Sequence, residues 1–172
     1  MGYDINTLST DIVKAEAFAK EYGYDYMFNK ETGKYEGDAA PYFRANIWGM
    51  GHIRSMLIEL YNDSIHNGIK DNQFSNILET LSWNDGKIIS PSDCQLLIDI
   101  YDDSKALALA VANVHQKIAE DSSYLEYKTM VDGEVVTKTA TINEAAEGQA
   151  NLLKEFIVYL GIAKELEGCQ VW

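Results

Sequence analysis

The sequence predicts a mainly helical α+β domain of four or five helices, with a long central helix and a β-hairpin protruding over about residues 124–141. Three observations predict it. Apolar residues recur at three- and four-residue spacing along most of the chain. Helix-capping signals stand at Ser90 and Thr141. Asp132-Gly133 separates two runs rich in Tyr, Val and Thr, the pattern of a two-residue hairpin turn. The chain has 172 residues, 47% of them hydrophobic, and two prolines that leave no linker, so residues 1–172 are expected to form a single domain with a full core.

Taken in order, Ser9 or Thr10 caps a first helix with Ile12, Ala15, Ala19 and Tyr22 on one face and Gly23 as its stop. Asn29 to Lys34 reads as a turn between short extended pieces at Tyr24–Phe28 and Lys34–Glu36, either a small hairpin or a tyrosine-rich loop. Pro41 pushes Ala40 out of the helical region. Beyond it Ile47, Met50, Ile53, Leu57, Leu60 and Tyr61 keep helical spacing. Gly49 and Gly51 each cost roughly 1 kcal/mol inside a helix. Either the helix starts near Gly51 or the glycines admit a close neighbour.

A short helix is predicted around Phe74–Leu81, and Asn84-Asp85-Gly86 as a tight turn into a strand at Ile88-Ile89. Ser90-Pro91-Ser92-Asp93 then opens a helix whose stripe of Leu97, Ile100, Tyr101, Ser104, Leu107, Ala108, Val111, Val114 and Ile118 continues to about Ala119. That is one long helix of about 45 Å, or two nearly collinear ones broken near Asp102-Asp103-Ser104. The hairpin follows. Thr141 and Glu144 form a capping box, and Ala145, Gln149, Leu152, Leu153, Phe156, Leu160 and Ala163 give the last helix its stripe, which stops before Gly168. Small residues Ala145, Ala146, Gly148 and Ala150 permit close packing.

Charge excludes some functions. There are 14 Lys and Arg against 27 Asp and Glu, a balance of −13, which argues against nucleic acid and anionic membranes and favours a partner with a basic surface. Cys94 and Cys169 make neither a disulfide framework nor a zinc site, which points to a reducing, cytoplasmic setting. No apolar run reaches the length of a membrane span. His52, His66 and His115 are scattered without metal-ligand spacing, and no nucleophile elbow, phosphate loop or calcium loop is present. No metal, cofactor or catalytic residue is therefore expected.

Residues 42–54, Tyr-Phe-Arg-Ala-Asn-Ile-Trp-Gly-Met-Gly-His-Ile-Arg, concentrate the chemistry. If the helix already runs from Arg44, then Arg44, Trp48, His52, Ser55 and Glu59 share one polar face with an aromatic floor. Arginine grips carboxylate or phosphate, tryptophan stacks on planar groups, and histidine exchanges protons near neutral pH.

The blocks Tyr42-Phe43-Arg44-Ala45-Asn46-Ile47-Trp48-Gly49-Met50, Ser82-Trp83-Asn84-Asp85-Gly86 and Ser90-Pro91-Ser92-Asp93-Cys94 together resemble an uncharacterised group of small bacterial and phage proteins. Members of that group often open with Met-Gly-Tyr-Asp, as Met1 to Asp4 do here. The resemblance transfers no catalytic residue. It implies that the Arg44–Trp48 and Asn84–Gly86 blocks come together, with Arg44 or Asn46 tying down the turn.

The leading expectation is a non-enzymatic acidic interaction protein, of the kind a phage or mobile element uses to inhibit a host defence system by binding a protein partner. Tyr124, Tyr127, Asp132 and Glu134 of the hairpin are its expected contacts. The alternative is a binder or enzyme for a small anionic, nucleotide-like ligand held by Arg44, Asn46, Trp48, His52, Asn84 and Asp85.

Overall fold

The computed structural model describes residues 2–8, 28–29, 34–35, 42–64 and 71–172. Among these, five helices dominate: α1 (Ile47–Ser64), α2 (Asp71–Thr80), α3 (Pro91–Ile100), α4 (Asp103–Glu120) and α5 (Ile142–Glu165). A four-stranded antiparallel sheet joins β4 (Tyr42–Asn46), β1 (Gly2–Thr7), β8 (Cys169–Val171) and β5 (Ile88–Ile89) in that order. Two hairpins stand apart: β2 (Phe28–Asn29) with β3 (Lys34–Tyr35), and β6 (Glu126–Val131) with β7 (Glu134–Thr139). The mainly helical α+β class is as predicted; within Tyr24–Glu36, Phe28–Asn29 pairs antiparallel with Lys34–Tyr35, and the rest of that stretch lies outside the described residues. The expected first helix at 9–22, Pro41 and His66 lie outside the described residues.

The longest helix, α5, lies at the centre. Its 24 residues begin at the predicted capping box, with Glu144 N–H donating to Thr141 Oγ1 and Thr141 N–H to Glu144 Oε2. Such a box satisfies two end N–H groups that would otherwise lack partners. One face carries Leu153, Phe156, Tyr159 and Leu160, all fully buried. Phe43 of β4 stands 5.1 Å from Phe156 and 6.0 Å from Tyr159, and the Tyr159 hydroxyl donates to the Ile5 carbonyl of β1 at 3.0 Å. The sheet is thus fastened to α5, and α3, α4 and α1 pack on the same helix.

Of the two forms open for residues 91–119, the long central helix is not formed and the chain is two helices, broken next to Asp102 as the second form had it. Tyr101 caps the end of α3 and Asp102 the start of α4, both extended, with ψ of 134° and 115°. Asp102 caps α4 by accepting from Lys105 N–H, and the Tyr101 hydroxyl donates to Asp103 Oδ1 at 2.7 Å. Two extended residues reset the helical phase. Ala106, Ala110 and Val114 are therefore the buried positions of α4, and Leu107, expected in the stripe, is exposed.

Three strands went unread. β1 and β8 pair the two chain ends, with Asp4 and Trp172 exchanging backbone bonds of 2.7 and 2.8 Å. β4 occupies the residues read as a helix start, so α1 begins at Ile47, where Asn46 Oδ1 accepts from Gly49 N–H at 2.7 Å. The close-neighbour reading of Gly49 holds, since a methyl there would lie 2.9 Å from Leu152 of α5; Gly51 faces open space. Ile47, expected in the core, is half exposed, whereas Met50, Ile53, Leu57, Leu60 and Tyr61 are buried as predicted. Cys94 and Cys169 meet inside the core, where the hydrogen bond with Cys94 and then burial hold the Cys169 thiol well above the usual thiol range.

The turn after α5 depends on Gly168. Its φ is +97°, its N–H donates to Ala163 O, and an added methyl would lie 2.4 Å from the Ile89 carbonyl. A left-handed backbone alone costs an L-residue about 1–2 kcal/mol, and here a backbone clash adds to it. Gly168→Ala is expected to destabilise the fold by at least about 2 kcal/mol, read as a lower midpoint in urea unfolding, whereas Gly148→Ala, at an open helical position, leaves the midpoint unchanged or raises it.

Candidate functional site

A groove of about 890 Å³ lies between α1 and the C-terminal half of α4 and is lined as well by the segment leading into β6. Three elements supply its walls. From α1 come Trp48, Gly51, His52 and Ser55 behind Ile47; from α4, Asn113, Gln116, Lys117 and Glu120; from the connector, Asp121 and Tyr124. The α1 positions sit at 0, +1, +4, +5 and +8 from Ile47, one helical face, because Asn46 starts the helix where it does. Trp48 is 78% exposed, so its indole forms part of an open wall.

A chain of amides crosses the floor. Asn113 Nδ2 donates to Gln149 Oε1 at 2.8 Å and to His52 Nδ1 at 3.2 Å, and Gln149 Nε2 donates to the Tyr124 hydroxyl at 3.0 Å. With Nδ1 accepting, neutral His52 carries its proton on Nε2. Burial, and then the Lys117 charge, push the His52 pKa below its ordinary 6.5. Lys117 is itself bonded to Glu120 Oε2 at 2.9 Å, while Gln116 donates to Glu120 Oε1. Each oxygen of that carboxylate thus accepts one hydrogen bond. Asp121 Oδ1 accepts from the Ser123 N–H and hydroxyl.

The structure separates the expected ligand residues. Trp48 and His52 remain together in the groove. Arg44 sits on strand β4 instead, opposite Asp4 in register and 3.4 Å from its carboxylate, with both side chains largely exposed, a pairing worth at most about 1 kcal/mol. Asn46 is consumed as a helix cap. Asn84 and Asp85 are exposed in the turn before β5, and Asp85 Oδ1 accepts from Lys87 N–H. That turn is tied by Gly86 N–H to the Val171 carbonyl and by Gln170 Nε2 to the Gly86 carbonyl, with the Trp172 ring against Gly86. Neither Arg44 nor Asn46 holds it, since β4 and β5 are opposite edges of the sheet with two strands between them, about 14 Å apart.

Of the expected partner-binding residues, Tyr124 lines the groove, while Tyr127, Asp132 and Glu134 lie on the β6–β7 ribbon. The ribbon turns at Asp132 and Gly133, whose φ values of 50° and 86° are the doubly positive pattern of a hairpin-favoured turn. Met130 (67% exposed) and Val135 (65%) face each other across it. Asn113, Gln116, Lys117 and Gln149 were missed. The signal was Gln149, an amide standing in the apolar stripe of the last helix, where a buried polar group requires partners. Among the described residues no group of three or more His, Cys, Asp or Glu converges as a metal site, and no helix is long and apolar enough to cross a membrane.

Because the folded protein disfavours protonated His52 relative to the unfolded chain, this histidine's contribution to stability is complete above about pH 6.5 and is lost as pH falls from there through the lowered folded value. The thermal midpoint is expected to drop more steeply between pH 7 and 5.5 for the native protein than for His52→Gln, which keeps an acceptor for Asn113 but cannot titrate. Parallel curves would show that His52 is not held neutral.

No protein-family model, no curated protein and no solved structure matches this chain.

Proposed function

We propose that the chain is a non-enzymatic binding protein that engages a protein partner with the tip of its β6–β7 ribbon. The observation that carries this reading is the exposure of Met130 and Val135, directly paired across the two strands next to the turn, an apolar pair at the tip where burial adds nothing to the core. Exposed apolar surface on a rigid projection is the usual form of an interaction site. Asp132 and Glu134 flank the pair, and the whole chain carries −13, so the matching surface is an apolar recess rimmed by Lys or Arg. The resemblance to small phage and bacterial proteins makes a component of a host system, such as a defence protein, the partner class proposed.

The expected contact is dominated by a few buried side chains, as interfaces generally are. Met130→Ser combined with Val135→Ser is expected to weaken capture by about 2 kcal/mol or more, roughly thirtyfold, with no loss of thermal stability because both positions are exposed. Capture from host lysate, comparing native protein with the double variant at low and high salt, tests it. A protein retained by the native chain, lost with the variant and weakened by salt supports the reading; the same proteins retained by both chains sink it.

A further inference from the structure

We propose that the groove between α1 and α4 is a separate small-molecule site that takes a planar aromatic compound bearing a single carboxylate. Its volume of about 890 Å³ lies within the few hundred to about a thousand Å³ typical of ligand pockets. Trp48 offers a flat apolar wall that is 78% exposed, a surface suited to stacking an aromatic ring.

The hydrogen-bond inventory fixes the polarity of the ligand. Each oxygen of Glu120 already accepts from a neighbour, Gln116 or Lys117, and Asp121 Oδ1 accepts twice from Ser123, so the acceptors of the groove are largely engaged by its own residues. The donors are not exhausted. His52 Nδ1 accepts from Asn113 and leaves an N–H on Nε2; Tyr124 accepts from Gln149 and keeps its own O–H to give; Lys117 has two protons beyond the one given to Glu120. These donors belong to residues that line one groove. Lys117 is the positive charge felt at His52, and it shares the lining with two carboxylates, Glu120 and Asp121, so the groove has room for one negative charge beside Lys117 and not for several.

The same electrostatics limit the ligand's charge. A protein at −13 repels polyanions at long range, and Arg44, the residue suited to grip a phosphate, is on the sheet, paired with Asp4. A monocarboxylate fits this balance and a nucleotide does not.

The test titrates the full chain with 2-naphthoate, its uncharged amide 2-naphthamide, and AMP, following side-chain amide and indole N–H signals by NMR. Naphthoate is expected to bind most tightly of the three and to shift the Trp48 indole and the Asn113 and Gln149 amides. Trp48→Ala and Lys117→Gln, both outside the core, are each expected to weaken naphthoate at least tenfold, with Lys117→Gln leaving naphthamide unchanged. The proposal is overturned by any of these results: no naphthoate binding at millimolar concentration, shifts confined to other residues, equal affinity for acid and amide, tighter binding of AMP, or native affinity in both variants.

Discussion

The hydrogen bond from Tyr159 to the Ile5 carbonyl, made inside a wholly apolar junction, is the contact on which the arrangement of layers depends. It joins the central helix to the central part of the sheet. A tyrosine hydroxyl buried without a partner would cost a few kcal/mol, so the β1 carbonyl, together with the Cys169 thiol that is also hydrogen-bonded to this tyrosine, stabilises the ring in this position. Phe43, its ring tilted against those of Phe156 and Tyr159, sets where β4 lies relative to the same helix. Because β1 pairs with β8, one helix thereby holds the first and last described strands.

The groove inherits its geometry from that helix. α1 follows β4 directly and packs on α5 with Gly49 against Leu152, while Ala106, Ala110 and Val114 seat α4 on the core. Gln149 of α5 then reaches the space between them and orients Asn113 and Tyr124. A buried amide in an apolar stripe is tolerated only when all its polar atoms are used. Here its oxygen and its nitrogen are both bonded, and the consequence is that His52 and Tyr124 present fixed atoms to the open side.

Local chemistry was legible in the sequence and long-range pairing was not. The caps at Ser90 and Thr141, the Asp132-Gly133 turn and the apolar faces of α1 and α5 follow from side chains acting within a few residues of themselves, and each is found where expected. β1, β4 and β8 exist because distant segments pair, and a strand of three to six residues with one covered face has too little periodicity to declare itself. The error at Arg44 has this cause: a helical phase extended back from Ile47 placed it beside His52, whereas a strand placed it on the outside of the sheet. The break at Tyr101–Asp102 was one of two forms the sequence left open, because the apolar period survives across two extended residues while the faces behind it rotate.

The ribbon and the groove differ in what they owe to the fold, and that difference bears on function. His52, Asn113, Gln149 and Tyr124 support one another, so a structural role accounts for part of their arrangement. Met130 and Val135 support nothing else. A two-stranded hairpin gains little stability by itself in water, and this one is secured at its base by Leu125 and Ala140, whose backbone bond measures 2.9 Å, and at its tip by the tight turn. Between these two fixings the strand positions could carry polar residues at no cost to the core, and polar residues there would reduce the hazard of edge-to-edge association. An apolar pair at that position is unfavourable to the isolated protein, and a surface that covers it turns the same pair into a favourable contact.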